Sequence, residues 1–237
     1  MKLKSMIVKM GLSGVLAIAT VAAIPAVHAF GLDTLKSAAG VSESAEKGGV
    51  DVNSLLSQQK DLMGRFNSSM NNMLLAQAKT LEAAGLKEDA QRASAAAENY
   101  KSGNVVSKDQ LKRDSMVSAE SNSKIEQLLK QNNKLSADGQ KLLVSAVPHY
   151  AKGMYDGTRL PKDFESWTSS AQGGLNSLAS NPLGAGKLTS GLKDVTTVAT
   201  SLPNLLKTWG STSVAFVNYA KSNKVDVSDV ESKLGDL

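Results

Sequence analysis

Between Asp51 and Gly85 the sequence leaves the backbone one regular option. Leu55, Leu56, Leu62, Met63, Phe66, Met70, Met73, Leu74 and Leu81 recur at three- and four-residue steps, the period of a helix and not the alternation of a half-buried strand. Asp51 can cap the first turn, and Val50 and Leu55 have the spacing of a hydrophobic staple. Gly85 is the expected left-handed terminator. The rows Leu56, Met63, Met70 and Val52, Phe66, Met73 fall at multiples of seven, so the segment reads as a long amphipathic helix with one apolar seam.

The rest of the chain is punctuated in the same way. A second helix is expected from Lys87 to Lys101, built on Ala90, Ala93, Ala96 and Ala97 and stopped at Gly103. Ser107 to Gln110 is a capping box that opens a third, reaching about Leu135, whose middle from Asp114 to Lys124 reads as solvated. Ser136 caps a fourth, which is expected to kink or break at Pro148, and the turn from Gly157 to Pro161 closes this half. Strand signals are confined to short pieces such as Thr196 to Val198 and Val214 to Val217. The fold class is all-α: an irregular bundle of about six helices.

After Glu165 the composition shifts. Residues 166–215 carry only Lys187, Lys193, Asp194 and Lys207, whereas residues 30–165 carry 35 charges. The quiet stretch is rich in Gly, Ser, Thr, Leu and Val, with breaks expected at Asn181-Pro182 and Pro203 and a loosening near Gly210. Residues 30–165 therefore form a charged helical region and 166–237 a low-charge helical region of the same domain. The end, Val225-Asp226-Val227-Ser228, echoes Val50-Asp51-Val52-Asn53 and reads as a second capping signal.

The first 29 residues read as a cleavable signal peptide. A basic start with Lys2 and Lys4, an apolar stretch from Met10 to Val27, and Val27-His28-Ala29 are its three parts, with Pro25 ending the helix before the cleavage site. That core is shorter than the roughly 20 residues that cross a bilayer, and no cysteine stands at the junction to take a lipid anchor. The expected destination is the periplasm or the secreted fraction, with no transmembrane segment in the mature chain. Three of the 27 basic residues lie in the leader, leaving 24 against 22 acids. This balance argues against a strongly basic nucleic-acid binder, and the absence of cysteine excludes a disulfide scaffold.

Catalytic and metal inventories are thin. Beyond the leader there is one histidine, His149, so serine-histidine, cysteine-histidine and multi-histidine zinc arrangements lack their parts. Gly184-Ala185-Gly186-Lys187 resembles the end of a phosphate loop, but Asn181 and Leu188 stand where glycine and a hydroxyl are needed, and it reads as a flexible hinge. Ser-x-x-Lys occurs at Ser44, Ser121 and Ser190 without the companion motifs of serine acyl-transferases. Met63, Met70 and Met73 have the soft thioethers that Cu(I) takes, yet their spacing is that of core. Glu165 stands beside Phe164 and Trp167 and could act on a glycan, or simply favour a helix N-terminus. The expectation is no catalytic residue, no cofactor and no metal.

What remains is an exported, non-enzymatic protein-interaction factor of the bacterial cell envelope or secreted fraction: a chaperone, adaptor or structural protein with a protein partner or a second copy. Its interaction residues would be Leu188, Leu192, Val195, Val198 and Trp209 in the quiet stretch. A helical carrier of an amphiphilic or lipid ligand is the alternative, and a carboxylate-based cell-wall glycan enzyme the third.

Overall fold

The structure, a computed structural model, describes residues 51–101, 103, 107–131, 134–178 and 182–235. The signal segment, Val50, Ser44 and Asn181 lie outside the described residues. Among the described residues 89% are helical and none is in a strand. The helices are α1 (Val52–Ala83), α2 (Lys87–Glu98), α3 (Lys108–Gln131), α4 (Ala137–Ser177), α5 (Pro182–Ser222) and α6 (Ser228–Leu234).

The ends follow the local signals. Asp51 accepts a bond from the Asn53 N–H at 2.9 Å, Ser107 from Gln110 at 3.2 Å and Ser136 from Gly139 at 3.1 Å. Gly85 adopts φ of +82°, the left-handed geometry that stops α1, whereas α2 ends at Glu98 with Asn99 as its cap, before Gly103, whose φ is +69°. The echo differs at Asp226, which stands one residue before the N-cap Val227: its carboxylate accepts from the Ser228 N–H at 3.0 Å, and this bond holds it below the usual carboxylate range.

The break expected at Pro182 is present, where α5 begins, but Pro148 and Pro203 do not break the chain. Pro148 and Pro161 lie inside the 41 residues of α4, and Pro203 inside the 41 of α5, which also runs through Gly210. A proline removes one bond to the carbonyl four residues earlier. For Pro148 that carbonyl belongs to Val144, and both residues are exposed, so water can satisfy the freed group. Because α4 ends at Ser177, the compositional step at Glu165 falls inside a helix and marks no structural boundary.

Side-chain contacts fix the directions. Along α1 and α4 the pairs are Leu55 with Trp167, Arg65 with Asp163, Ser69 with Gly153, Asn72 with His149 and Lys79 with Ser145. One number rises as the other falls, so the two helices lie antiparallel along most of α1. They come close because α4 offers glycines: a Cβ on Gly153 would lie 2.7 Å from the Met73 side chain, and one on Gly139 would lie 2.7 Å from the Ala83 carbonyl. Pairs such as Asn71 with Ala97 and Arg92 with Glu120 make α1–α2 and α2–α3 antiparallel hairpins. Gln59 beside Gly191 and Gln77 beside Thr212 set α5 parallel to α1. The result is an up-down-up-down-up bundle, with α6 packed on α4 and α5.

Helix α1 is its hub, in contact with α2, α3, α4 and α5. The single seam expected for it is therefore too narrow. Asn67, Ser69, Gln77 and Thr80 are buried together with Phe66, Met70 and Met73. The middle of α3 is corrected likewise: Asp114, Ser118 and Ser121 are buried rather than solvated, in step with Leu111, Ile125 and Leu128.

Candidate functional site

Of the residues singled out in the quiet stretch, Leu188, Val195, Val198 and Trp209 are buried within the monomer, and Leu192 is half-buried against the same core. They form the inner face of α5. Sequence reasoning follows apolar positions, and in an amphipathic helix those turn inward; the surface a partner meets is their complement.

That complement is regular. Thr189, Lys193, Thr196, Thr200, Asn204, Lys207, Ser211, Val214 and Asn218 recur at three- and four-residue steps on the outer side of α5; Thr196 is half-buried and the rest are exposed. No acid interrupts them; Asp194 lies off this line and is half-buried. Several hydroxyls on this helix are turned back onto their own backbone. Thr189 donates to the Ala185 carbonyl at 2.8 Å, Thr197 to Lys193 at 2.9 Å and Thr200 to Thr196 at 2.7 Å. Such back-bonding satisfies the donor locally and leaves the threonine methyl to face outward. A helix of 41 residues is ~61 Å long, so the line is an extended, uncharged-to-basic surface that sheds water at little cost. Its signal in the sequence is the charge gap together with the heptad-like step of Thr, Ser and Asn.

The second feature is a groove of about 260 Å³ between the first half of α1 and the second half of α4. Gln58, Asp61, Leu62, Arg65, Asp163, Ser166 and Trp167 line it. Arg65 meets Asp163 at 2.5 Å across its floor, with both side chains partly exposed. The Trp167 ring is buried, and its Nε1–H donates to the Leu55 carbonyl at 2.8 Å, so its face is spent on packing. An open groove with charged walls lacks the apolar lining that an acyl chain requires. Glu165, one residue away, is exposed and outside the lining.

The other singled-out residues fall into place as structure. Met63, Met70 and Met73 are buried in the main core, Met73 against Gly153. His149 sits half-buried, its Nδ1 3.0 Å from Asn72 Oδ1. Burial, and then the charge of Lys79, lower its pKa below the ordinary value of 6.5. Gly184 to Lys187 lie within the first turns of α5, helix rather than hinge. Ser121 is buried, and Ser190 and Lys193 are exposed on α5. Among the described residues no group of three or more His, Cys, Asp or Glu converges, and no helix is long and apolar enough to cross a membrane.

Comparison of the chain with protein-family models, with curated proteins and with solved structures finds no match. The architecture defines an all-α up-down bundle, and the functional reading rests on its own surface chemistry.

Proposed function

We propose that this is an exported protein-interaction factor of the bacterial envelope or secreted fraction, cleaved after Ala29, that works as a chaperone, adaptor or structural element without catalysis. The observation that carries the reading is the outer line of α5. A long helical face that carries no acid of its own, on which Thr189 and Thr200 bond to their own backbone, is suited to lying along another protein, since little hydration is lost on contact and the lysines supply orientation. The signal-like leader supports the destination, and the thin catalytic inventory supports the absence of chemistry. The interaction residues are accordingly moved from the inner face of α5 to Lys193, Thr200, Asn204 and Lys207.

The test begins with the secreted and periplasmic fractions, where the mature chain should start at Phe30. Cross-linked complexes of that chain are then compared with those of Thr200→Glu/Asn204→Glu and of Lys112→Glu/Lys130→Glu on α3 as a control. Exposed substitutions of this kind shift stability by about 0.5 kcal/mol or less each, so all three proteins stay folded. Loss of a cross-linked species in the α5 variant alone is the expected result. Identical species in all three, or a lipid retained by the native protein in place of a protein partner, would overturn the reading.

A further inference from the structure

The layer formed by α2 and α3 meets the rest of the molecule through many small and polar side chains. The buried face of α2 is four alanines, Ala90, Ala93, Ala96 and Ala97. On α3 half of the buried residues are polar: Asp114, Ser118 and Ser121 beside Leu111, Ile125 and Leu128. At the centre of the seam, Gln77 of α1 donates through Nε2 to the Ser118 carbonyl at 3.1 Å and to Thr212 Oγ1 of α5 at 3.3 Å. Its Oε1 has no partner, and neither does the Ser118 hydroxyl. The amide cannot be turned to cure this, because the Ser118 carbonyl accepts only. Further along, Asn122 and Ser211 both donate to Glu126, bridging α3 and α5 at the surface.

Buried polar atoms without partners raise the energy of the closed state, and water satisfies them when the seam parts. Alanines and serines bury little apolar area, so the hydrophobic free energy that opposes the parting comes mainly from Tyr100, Leu111, Ile125 and Leu128. Arg92 with Glu120 and Asp89 with Lys124 tie α2 to α3 at the surface. Asn99 and Gln110 hold the Asp114 carboxylate between the same two helices.

We propose that the α2–α3 hairpin is a detachable layer, which swings away as a unit while α1, α4 and α5 stay assembled, with Gln77, Ser118 and Thr212 as its latch. Opening uncovers Phe66, Gln77 and Leu81 on α1 and Thr212 and Ala215 on α5, a helix-spaced surface that the closed form hides. Of the α5 outer line the inference uses only Ser211, which donates to Glu126 of α3.

The chain has no cysteine, so single thiols report opening without background. Ser118→Cys and Ser121→Cys probe the seam; Ser69→Cys, on the α1–α4 contact, and Ala171→Cys, within α4, probe the frame. Under native conditions the two seam thiols should react with a thiol reagent at least about tenfold faster than the two frame thiols, with a weaker dependence on denaturant, as sub-global opening requires. If the seam thiols react no faster than the frame thiols, and all share one denaturant slope, the layer opens only by global unfolding and the proposal fails. Two probes on each side keep the comparison readable if one variant misfolds, and amide exchange of the unaltered chain provides the same comparison without any substitution.

Discussion

The α2–α3 hairpin and the frame made by α1, α4 and α5 are built from the same secondary structure and differ in what they bury. Across the frame, Tyr150 stacks on Phe216 with ring centroids 4.1 Å apart, and Trp209, Phe164, Trp167 and Met154 fill the space between long helices. Across the hairpin the buried side chains are the four alanines of α2, Leu111, Ile125 and Leu128 beside Asp114, Ser118 and Ser121 of α3, and Tyr100 edge-on to Phe66. Large buried side chains contribute roughly 1.5–3 kcal/mol each, against about 0.8 for each buried methylene group. The lesson is that an all-helical bundle need not be uniformly held, and that stability is concentrated where aromatics meet close-packed glycines.

The most severe way to break the contrast is at the hub. Met70 is fully buried on α1, and Met70→Asp places a carboxylate in the core, a penalty of several kcal/mol. Against a whole-domain stability of about 5–15 kcal/mol, this should abolish accumulation of folded protein, measured as soluble yield and circular dichroism. A folded variant with normal melting would mean that the hub is not a hub.

Next in size is Trp209→Ala, which removes the largest frame side chain and should cost about 3–5 kcal/mol with a global loss of melting temperature. The matching hairpin change, Ile125→Ala, carries a similar range of about 2–5 kcal/mol for removing a large aliphatic group, but its effect should appear mainly as faster opening of α2 and α3. Denaturant melts read together with site-resolved exchange separate the two. Equal spreading of both effects over the whole chain would remove the distinction between regions.

Smaller again is the acid response of the frame. The His149 pKa is lowered in the folded state, so the unfolded chain binds the proton first as pH falls. Its contribution is fully present above about pH 6.5, the unfolded value, and is lost as pH drops from there through the lower folded value. His149→Asn removes this titration while keeping a polar group beside Asn72. Between pH 7.5 and 5.5 the variant should lose less melting temperature than the parent; an equal or larger loss would show that the imidazolium is not destabilised by burial and by Lys79.

Much of this architecture is legible in the sequence, because caps and glycines act locally. Asp51, Gly85, Ser107 and Ser136 mark helix ends that the structure shares within a few residues. Pro148 and Pro203 mislead because their effect depends on context: tertiary packing holds the flanking turns, and Pro148 and Val144, whose carbonyl it frees, are both exposed. The buried Asn67, Gln77 and Ser118 are invisible to an apolar pattern, since polar residues read as solvent-facing unless something packs over them. The outer line of α5 escaped for the converse reason. Leu188, Val195, Val198 and Trp209 draw attention as apolar anchors, while Thr200 and Lys207 carry the exposed surface.

Amide hydrogen exchange of the unaltered mature chain, resolved to each helix, tests the two-layer account most directly. The slowest amides of α2 and α3 should exchange together, at least about tenfold faster than the slowest amides of α1, α4 and α5, with a weaker response to denaturant. Convergence of all five helices on one protection value and one denaturant slope would show a single cooperative unit and contradict it.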